Sequence, residues 1–261
     1  MKLVLDRCII AHNTGLGDHI MMNGAARYLL NSYDQVYVVT YGQKVEHVKY
    51  MYRDDPRIHI VAETDAASGK HAQRKIRKIR ARYEKEGFDA RMFFWPYMRD
   101  WPDLVERIGL DVEKSCWCEA FYKAVGVDYK QRHESFYFKR DPHRERELYK
   151  RLGLPKEYAF VASKRAKKQS RIYLNTKLPI VSPDSFPLKT LVFDWMSVIE
   201  NATEIHTVDT SWFHLIKSMK LDNPRFFHRY ARPVPACGEN YLNDGYDNGW
   251  TDIKEKMDSS S

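Results

Sequence analysis

The chain has 261 residues, enough for one large domain or two small ones with real cores. Its apolar share of 43% and charged share of 30% are those of a soluble globular protein, and no apolar run is long enough to span a bilayer. The formal net charge of +8 points toward phosphate-bearing partners: nucleic acid, anionic lipid or the diphosphate of a nucleotide.

Met1 to Asp6 is too short and too soon charged for a signal peptide, so a cytoplasmic location is expected. There are four cysteines. Cys8 lies in an apolar strand and reads as a core residue. Cys116 and Cys118 form a lone C-x-C with no second pair at zinc spacing, and a chain this poor in cysteine needs no disulfide framework.

The first half alternates strand and helix. Cys8 to Ala11 reads as a buried strand and His19 to Leu30 as a helix. Gln35 to Thr40 is a β-branched strand, Gln43 to Tyr52 a helix, and Arg57 to Ala62 a third strand. A basic helix follows from Lys70 to Lys85, with Ala72, Ile76, Ile79 and Tyr83 spaced along one face. Arg91 to Trp95 is a fourth strand, stopped by Pro96. This βαβα rhythm predicts a mostly parallel sheet covered on both faces.

Two further helices are expected in the middle, Cys118 to Val125 and Arg144 to Leu152, the second ended by Gly153 and Pro155. A second alternation then starts with the strand Tyr158 to Ala162. Weaker strands are expected at Leu178 to Ser182 and Leu188 to Phe193, and a helix from Asp194, its cap, to Ala202. Glu204 to Val208 is a strand, Ser211 to Met219 a helix, and Arg225 to Tyr230 a last strand; the Asn-, Asp- and Gly-rich tail from Asn240 is expected to pack loosely. The fold class is therefore α/β with two Rossmann-like lobes, residues 1–145 and 146–261, facing a cleft.

Two loops carry the chemistry, each after a strand and before a helix, where open α/β sheets bind ligands. The first is Asn13-Thr14-Gly15-Leu16-Gly17-Asp18-His19. It is not a dinucleotide fingerprint: Ile20 replaces the third glycine, and the second strand ends Val39-Thr40-Tyr41 with no acid for a ribose hydroxyl. Asp18 is either a helix N-cap or a general base, and the two roles are compatible. Of the flanking histidines, His12 and His19, the second is the better candidate because it adjoins Asp18.

The second loop is Asp209-Thr210-Ser211, opening a helix that carries His214 one turn on. Backbone N–H groups and two hydroxyls there suit an anion. The basic loop with Lys164, Arg165, Lys167, Lys168 and Arg171 follows the first strand of the same half and can add cations.

Together these residues resemble the GT-B glycosyltransferases, especially the ADP-heptose type of heptosyltransferase. That family opens with strand, G-x-G-D and helix, matched by Gly15-Leu16-Gly17-Asp18; its later V-D-T-G-x-x-H-L is matched by Val208-Asp209-Thr210-Ser211-Trp212-Phe213-His214-Leu215, with serine for glycine. The resemblance covers both motifs and their order but not the middle of the chain.

It implies a compact GT-B fold and an inverting transfer of a sugar from a nucleotide-sugar donor to a glycan acceptor. Asp18 would be the base. The loop at Asp209, Thr210 and Ser211, with His214 and the basic residues after the first strand of the second lobe, would hold the diphosphate. No D-x-D motif is present, and no cofactor or metal is expected.

The Lys70–Lys85 helix reads first as a solvated helix with one apolar face on the sheet; its alternative is peripheral contact with an anionic membrane or polyanion. Two rival functions remain: a basic nucleic-acid-binding module, disfavoured because no binding motif is present and the aromatics are scattered, and a catalytically inactive GT-B fold that binds a glycan.

Overall fold

In the computed structural model the chain divides into two compact units, Met1–Lys139 and Arg140–Ser261. The described residues are 6–12, 15–63, 70–93, 109, 117–165, 168–186, 189–231, 242, 246 and 249–255. Cys116, Cys237, Asn13, Thr14, Lys167 and the Pro96 stop lie outside them.

The first unit is built on β1 (Arg7–His12), whose residues are buried from Cys8 onward. Two short helices follow, α1 (Leu16–Met21) and α2 (Asn23–Leu29), where a single helix was expected. Met22, at φ −80° and ψ −1°, lies between them, while backbone bonds from Met22 to Asp18 and from Ala26 to Met22 still span the junction. Then come β2 (Gln35–Tyr41), a 3-10 turn at Gly42–Lys44, α3 (Val45–Tyr52), β3 (Ile58–Glu63), α4 (Lys70–Lys85) and β4 (Asp89–Phe93).

The four strands are parallel in the order β3-β2-β1-β4. Alternation splits β1: Ile9 and Ala11 join Val39, Tyr41, Ile79 and Phe88 in one core layer. Ile79 and Tyr83 come from α4, so the described apolar residues of that helix pack on the sheet.

Helices α5 (Trp117–Ala124) and α6 (Gln131–Glu134) complete the described part of this unit. Buried Tyr122 on α5 donates its hydroxyl to the Met21 carbonyl at 2.8 Å. Buried Asn23 on α2 accepts the Tyr137 N–H at 2.9 Å. Gly24 lets α2 press against α6: a Cβ there would lie 2.0 Å from the Gln131 carbonyl oxygen.

The second unit begins with α7 (Pro142–Leu152). Its ends follow sequence rules: Asp141 accepts N–H bonds from His143 and Arg144, Pro142 fills the first turn, and Gly153 stops the helix at φ +55°. This helix belongs with the second unit because Arg144 pairs with Asp194 through two bonds of 2.8 and 2.7 Å, and Arg140 bridges Glu145 and Glu200.

After α7 come β5 (Ala159–Ala162), β6 (Lys164–Arg165), β7 (Lys168–Gln169) and β8 (Ile180–Val181). Next are α8 (Met196–Glu200), β9 (Glu204–Thr207), α9 (Ser211–Lys217), β10 (Arg225–His228) and β11 (Trp250–Ile253). The sheet is again parallel, ordered β11-β10-β9-β5-β8, and β6 with β7 forms a separate antiparallel hairpin.

Three expectations are corrected here. The apolar run expected as a strand before Asp194 instead forms a buried 3-10 turn, Val192–Trp195. Asp194 sits at the third position of that turn rather than at the N-cap; its carboxylate accepts the Leu191 N–H at 2.8 Å and closes the turn from behind. Part of the segment expected to pack loosely is ordered: β11 pairs along β10, and Trp250 is buried 5.1 Å from the Phe213 ring, while most of residues 240–248 lie outside the described residues.

Gly24→Ala should destabilise the protein by about 1–3 kcal/mol, because α2 and α6 must separate to admit a methyl group. Thermal unfolding of the variant checks this. An unchanged melting temperature would mean the two helices are not held that close.

Candidate functional site

Parallel strands place all their C-terminal ends on one edge of a sheet, and ligands gather where neighbouring connections diverge to opposite sides. In the first unit that divergence lies between β1 and β4. The chain leaving β1 is His12 to Asp18. In the second unit it lies between β5, which leads toward β8, and β9. The chains leaving there are Ser163 to Arg171 and Val208 to Ser211. Each motif loop therefore stands at the switch point of its own sheet.

In the first loop, Gly15 precedes α1 with extended backbone, φ −83° and ψ −176°, which any residue adopts. A Cβ there would meet Asp18 Oδ2 at 3.4 Å, an ordinary contact, so the turn itself does not demand this glycine. Leu16 and Gly17 open the helix, half-buried. Asp18 is the third helical residue and not the N-cap. Its Oδ2 accepts the Gly15 N–H at 2.6 Å, which fixes the carboxylate at the helix mouth.

His19 and His12 lie beneath. Both are 1% exposed, with ring centroids 4.2 Å apart, and His12 also meets the edge of Phe121 at 5.7 Å. Burial pushes the His12 imidazole down to about 3, helped by the charge of Lys44. Burial, then His12, then Lys44 hold His19 well below the ordinary histidine value. Neither ring nitrogen of His19 has a hydrogen-bond partner in the structure. His19 is thus a packed neutral ring behind Asp18, not a group at the surface.

Lys44 is the residue that motif reasoning missed. It ends the 3-10 turn after β2, half-buried, with its ammonium 5.4 Å from the centre of the Tyr41 ring. Burial lowers its proton affinity while Asp18 raises it. The same rule that singled out the other loops, a strand end before a helix, also applies to Lys44.

In the second unit, Thr207 donates its hydroxyl to the Ala162 carbonyl at 3.1 Å and ties the ends of β9 and β5 together. Asp209 and His214 are buried, with His214 Nε2 3.5 Å from Asp209 Oδ1. His214 therefore faces its own loop's carboxylate. Thr210 precedes α9 without capping it through its side chain; it is 8% exposed and its Oγ1 has no hydrogen-bond partner. Ser211 is half-buried.

Of the basic residues, Lys164 and Arg165 form β6, and Lys168 starts β7, so the expected loop is a hairpin. Lys164 is exposed; partial loss of water pushes the Asp184 carboxyl up, while the Lys164 charge and backbone N–H oppose that shift. Arg171 is exposed, its guanidinium 5.6 Å from the Tyr173 ring centre.

Sequence reasoning also missed a histidine pair. His206 Nδ1 lies 2.9 Å from His228 Nε2, His206 stacks on Phe226 at 4.7 Å, and Glu204 is 3.2 Å from His206 Nε2. Burial holds both rings down, His228 to about 4 with the help of His206; Glu204 opposes the shift at His206. Among the described residues no three His, Cys, Asp or Glu side chains are grouped to hold a metal ion, and no helix is long and apolar enough to cross a membrane.

These observations define a protein of two Rossmann-like α/β units, each with polar residues at its sheet's switch point. No family model matches the chain, and no curated protein matches it in sequence. Among solved structures it is similar to a glycosyl transferase family 9 protein from Veillonella parvula, at 11% identity and a TM-score of 0.55, over 99% of this chain and 90% of that one. At that identity the similarity is one of fold.

The buried histidines give a pH dependence of known sign. The folded state keeps His228 neutral down to about 4 and His12 down to about 3, while an unfolded histidine takes a proton near 6.5. The unfolded chain binds more protons within that window, so stability should fall as pH drops from about 6.5 toward 4. Urea unfolding across this range checks it. His228→Gln should reduce the slope, and an unaltered slope would remove that ring from the account.

Proposed function

We propose that this protein is an inverting glycosyltransferase that moves a sugar from a nucleotide-sugar donor to a glycan hydroxyl. One observation carries the reading: the only carboxylate in the G-x-G-D loop and the V-D-T-S loop each stand at the switch point of a parallel sheet, in the order and halves that such an enzyme needs. The fold similarity to a glycosyl transferase family 9 structure supports it.

In this reading Asp18 takes the proton from the acceptor hydroxyl as its oxygen attacks the anomeric carbon from the face opposite the leaving diphosphate. The bond between Gly15 N–H and Oδ2 orients the carboxylate. Lys44 provides a cation that favours its ionised form. His19 contributes packing behind the base rather than proton transfer.

The second unit holds the donor. Thr210 offers its unpartnered hydroxyl and Ser211 a second one, while Lys164, Arg165, Lys167, Lys168 and Arg171 supply positive charge near the diphosphate. Asp209 orients His214 at 3.5 Å, and the histidine backs the loop. Negative charge that grows on the leaving group is met by these fixed donors, so the reading calls for no metal.

Asp18→Asn should lower transfer about a hundredfold or more. The amide oxygen can still accept the Gly15 N–H, so donor binding and melting temperature should stay as in the wild type. A thermal-shift screen with UDP-, GDP-, ADP- and dTDP-sugars identifies the donor, since a ligand that binds only the folded form raises the melting temperature. Wild-type turnover by the variant would refute the base assignment, and a flat screen would refute the donor site.

Thr210→Val tests the donor side. The hydroxyl has no partner to lose, so stability should hold, while affinity for the nucleotide sugar found in the screen should fall about tenfold. Isothermal titration reads the loss; equal affinity would exclude that hydroxyl.

A further inference from the structure

The outward stripe of α4 is strongly basic. Ile79 is buried in the core and Tyr83 packs edge-on to Phe88 at 4.9 Å, so the described apolar residues of the helix face their own unit. On the opposite side Arg77, Lys78, Ala81 and Lys85 are all exposed. The 100° step of an α-helix puts positions 70, 74, 77, 78, 81 and 85 on that one stripe, and apart from Ala81 every one is Lys or Arg.

The flanks are different. Arg80 is paired with Glu84 at 2.7 Å, and Arg82 with Glu63 at 3.2 Å. Acids therefore neutralise the edges, while Arg77, Lys78 and Lys85 form no ion pair or hydrogen bond among the described residues. From Arg77 to Lys85 this row of charge runs over roughly 12 Å of helix.

We propose that this stripe docks the protein on an anionic phospholipid surface. A linear row of cations with a small residue at its centre can lie flat against many headgroups at once. The stripe holds no apolar side chain to insert, so attachment is electrostatic and reversible. A single-stranded nucleic acid is a poorer fit, because such sites add aromatic platforms and the one described aromatic of this helix segment is turned inward. The proposal is independent of the glycosyltransferase reading.

The test is co-sedimentation of the full chain with phosphatidylcholine vesicles containing about one third phosphatidylglycerol, beside vesicles of phosphatidylcholine alone and a mixed-sequence DNA duplex. Binding to the anionic vesicles should vanish in about 0.5 M salt. The triple variant Arg77→Gln, Lys78→Gln, Lys85→Gln should lose about a hundredfold in partitioning, about fivefold per cation. Glutamine keeps helix propensity, and circular dichroism should be unchanged.

A second triple variant, Arg146→Gln, Arg151→Gln, Lys156→Gln, removes the same charge from exposed sites on the second unit and should bind as the wild type does. Equal binding to uncharged vesicles would overturn the proposal. So would an equal loss in the two variants, no loss in the first, or tighter binding to the duplex than to anionic vesicles.

Discussion

Parallel pairing is the constraint on which everything else in this protein depends. Strands that run the same way leave all their C-terminal ends on one edge, and each must be followed by a crossover. The β3-β2-β1-β4 and β11-β10-β9-β5-β8 orders both contain one place where successive crossovers part to opposite sides. Helices start beside it, and their N-terminal N–H groups lack intrahelical partners. The sequence can place a carboxylate or a hydroxyl at those positions without disturbing the cores, and it does so at Asp18 and at Thr210.

The polar residues just behind these positions are packed with unusual care. The His12 and His19 rings pack against each other at a tilt near Asp18, and His206 and His228 meet inside the second unit. Burial keeps His12, His19 and His228 neutral at pH 7, so these rings act as shaped, polarisable filler rather than as charges. Ionic weight is carried elsewhere. Asp194, almost fully buried, takes a bidentate Arg144 and the Leu191 N–H, and in this way one carboxylate joins α7 to the 3-10 turn that leads into α8. Neutral rings under the site and paired charges away from it leave the field at the strand ends to a few residues such as Lys44 and Lys164.

Much of this was legible in the residues because period and punctuation agreed. Gln35 to Tyr41 alternates and is β-branched, and the Asp141-Pro142 start and Gly153 stop of α7 follow from local chemistry alone. The departures have a common cause. Apolar runs such as Leu191 to Trp195 do not state their period in so few residues, and a side-chain bond from Asp194 decided for a turn. The close approach of α2 to α6 at Gly24 and the pairing of β11 with β10 depend on partners remote in sequence. Lys44 escaped notice for another reason: lysine is the commonest kind of surface residue, and only its place beside Asp18 sets it apart.

The net charge of +8 also looks different once it is distributed. One group of cations stands at strand ends, where neighbours restrict it: Lys44 over Tyr41, Lys164 against Asp184, Arg171 beside Tyr173. Lys44 alone of these is half-buried, so partial desolvation strengthens its short-range interactions, while Lys164 and Arg171 are exposed. The other group lies along α4 in full solvent, where single contacts are weak and only their number and spacing matter. A single polyanion cannot use both groups in the same way. In the proposals made above, the first group would meet a small anion bound in a defined pose and the second an extended surface that imposes no pose, and these place different demands on geometry.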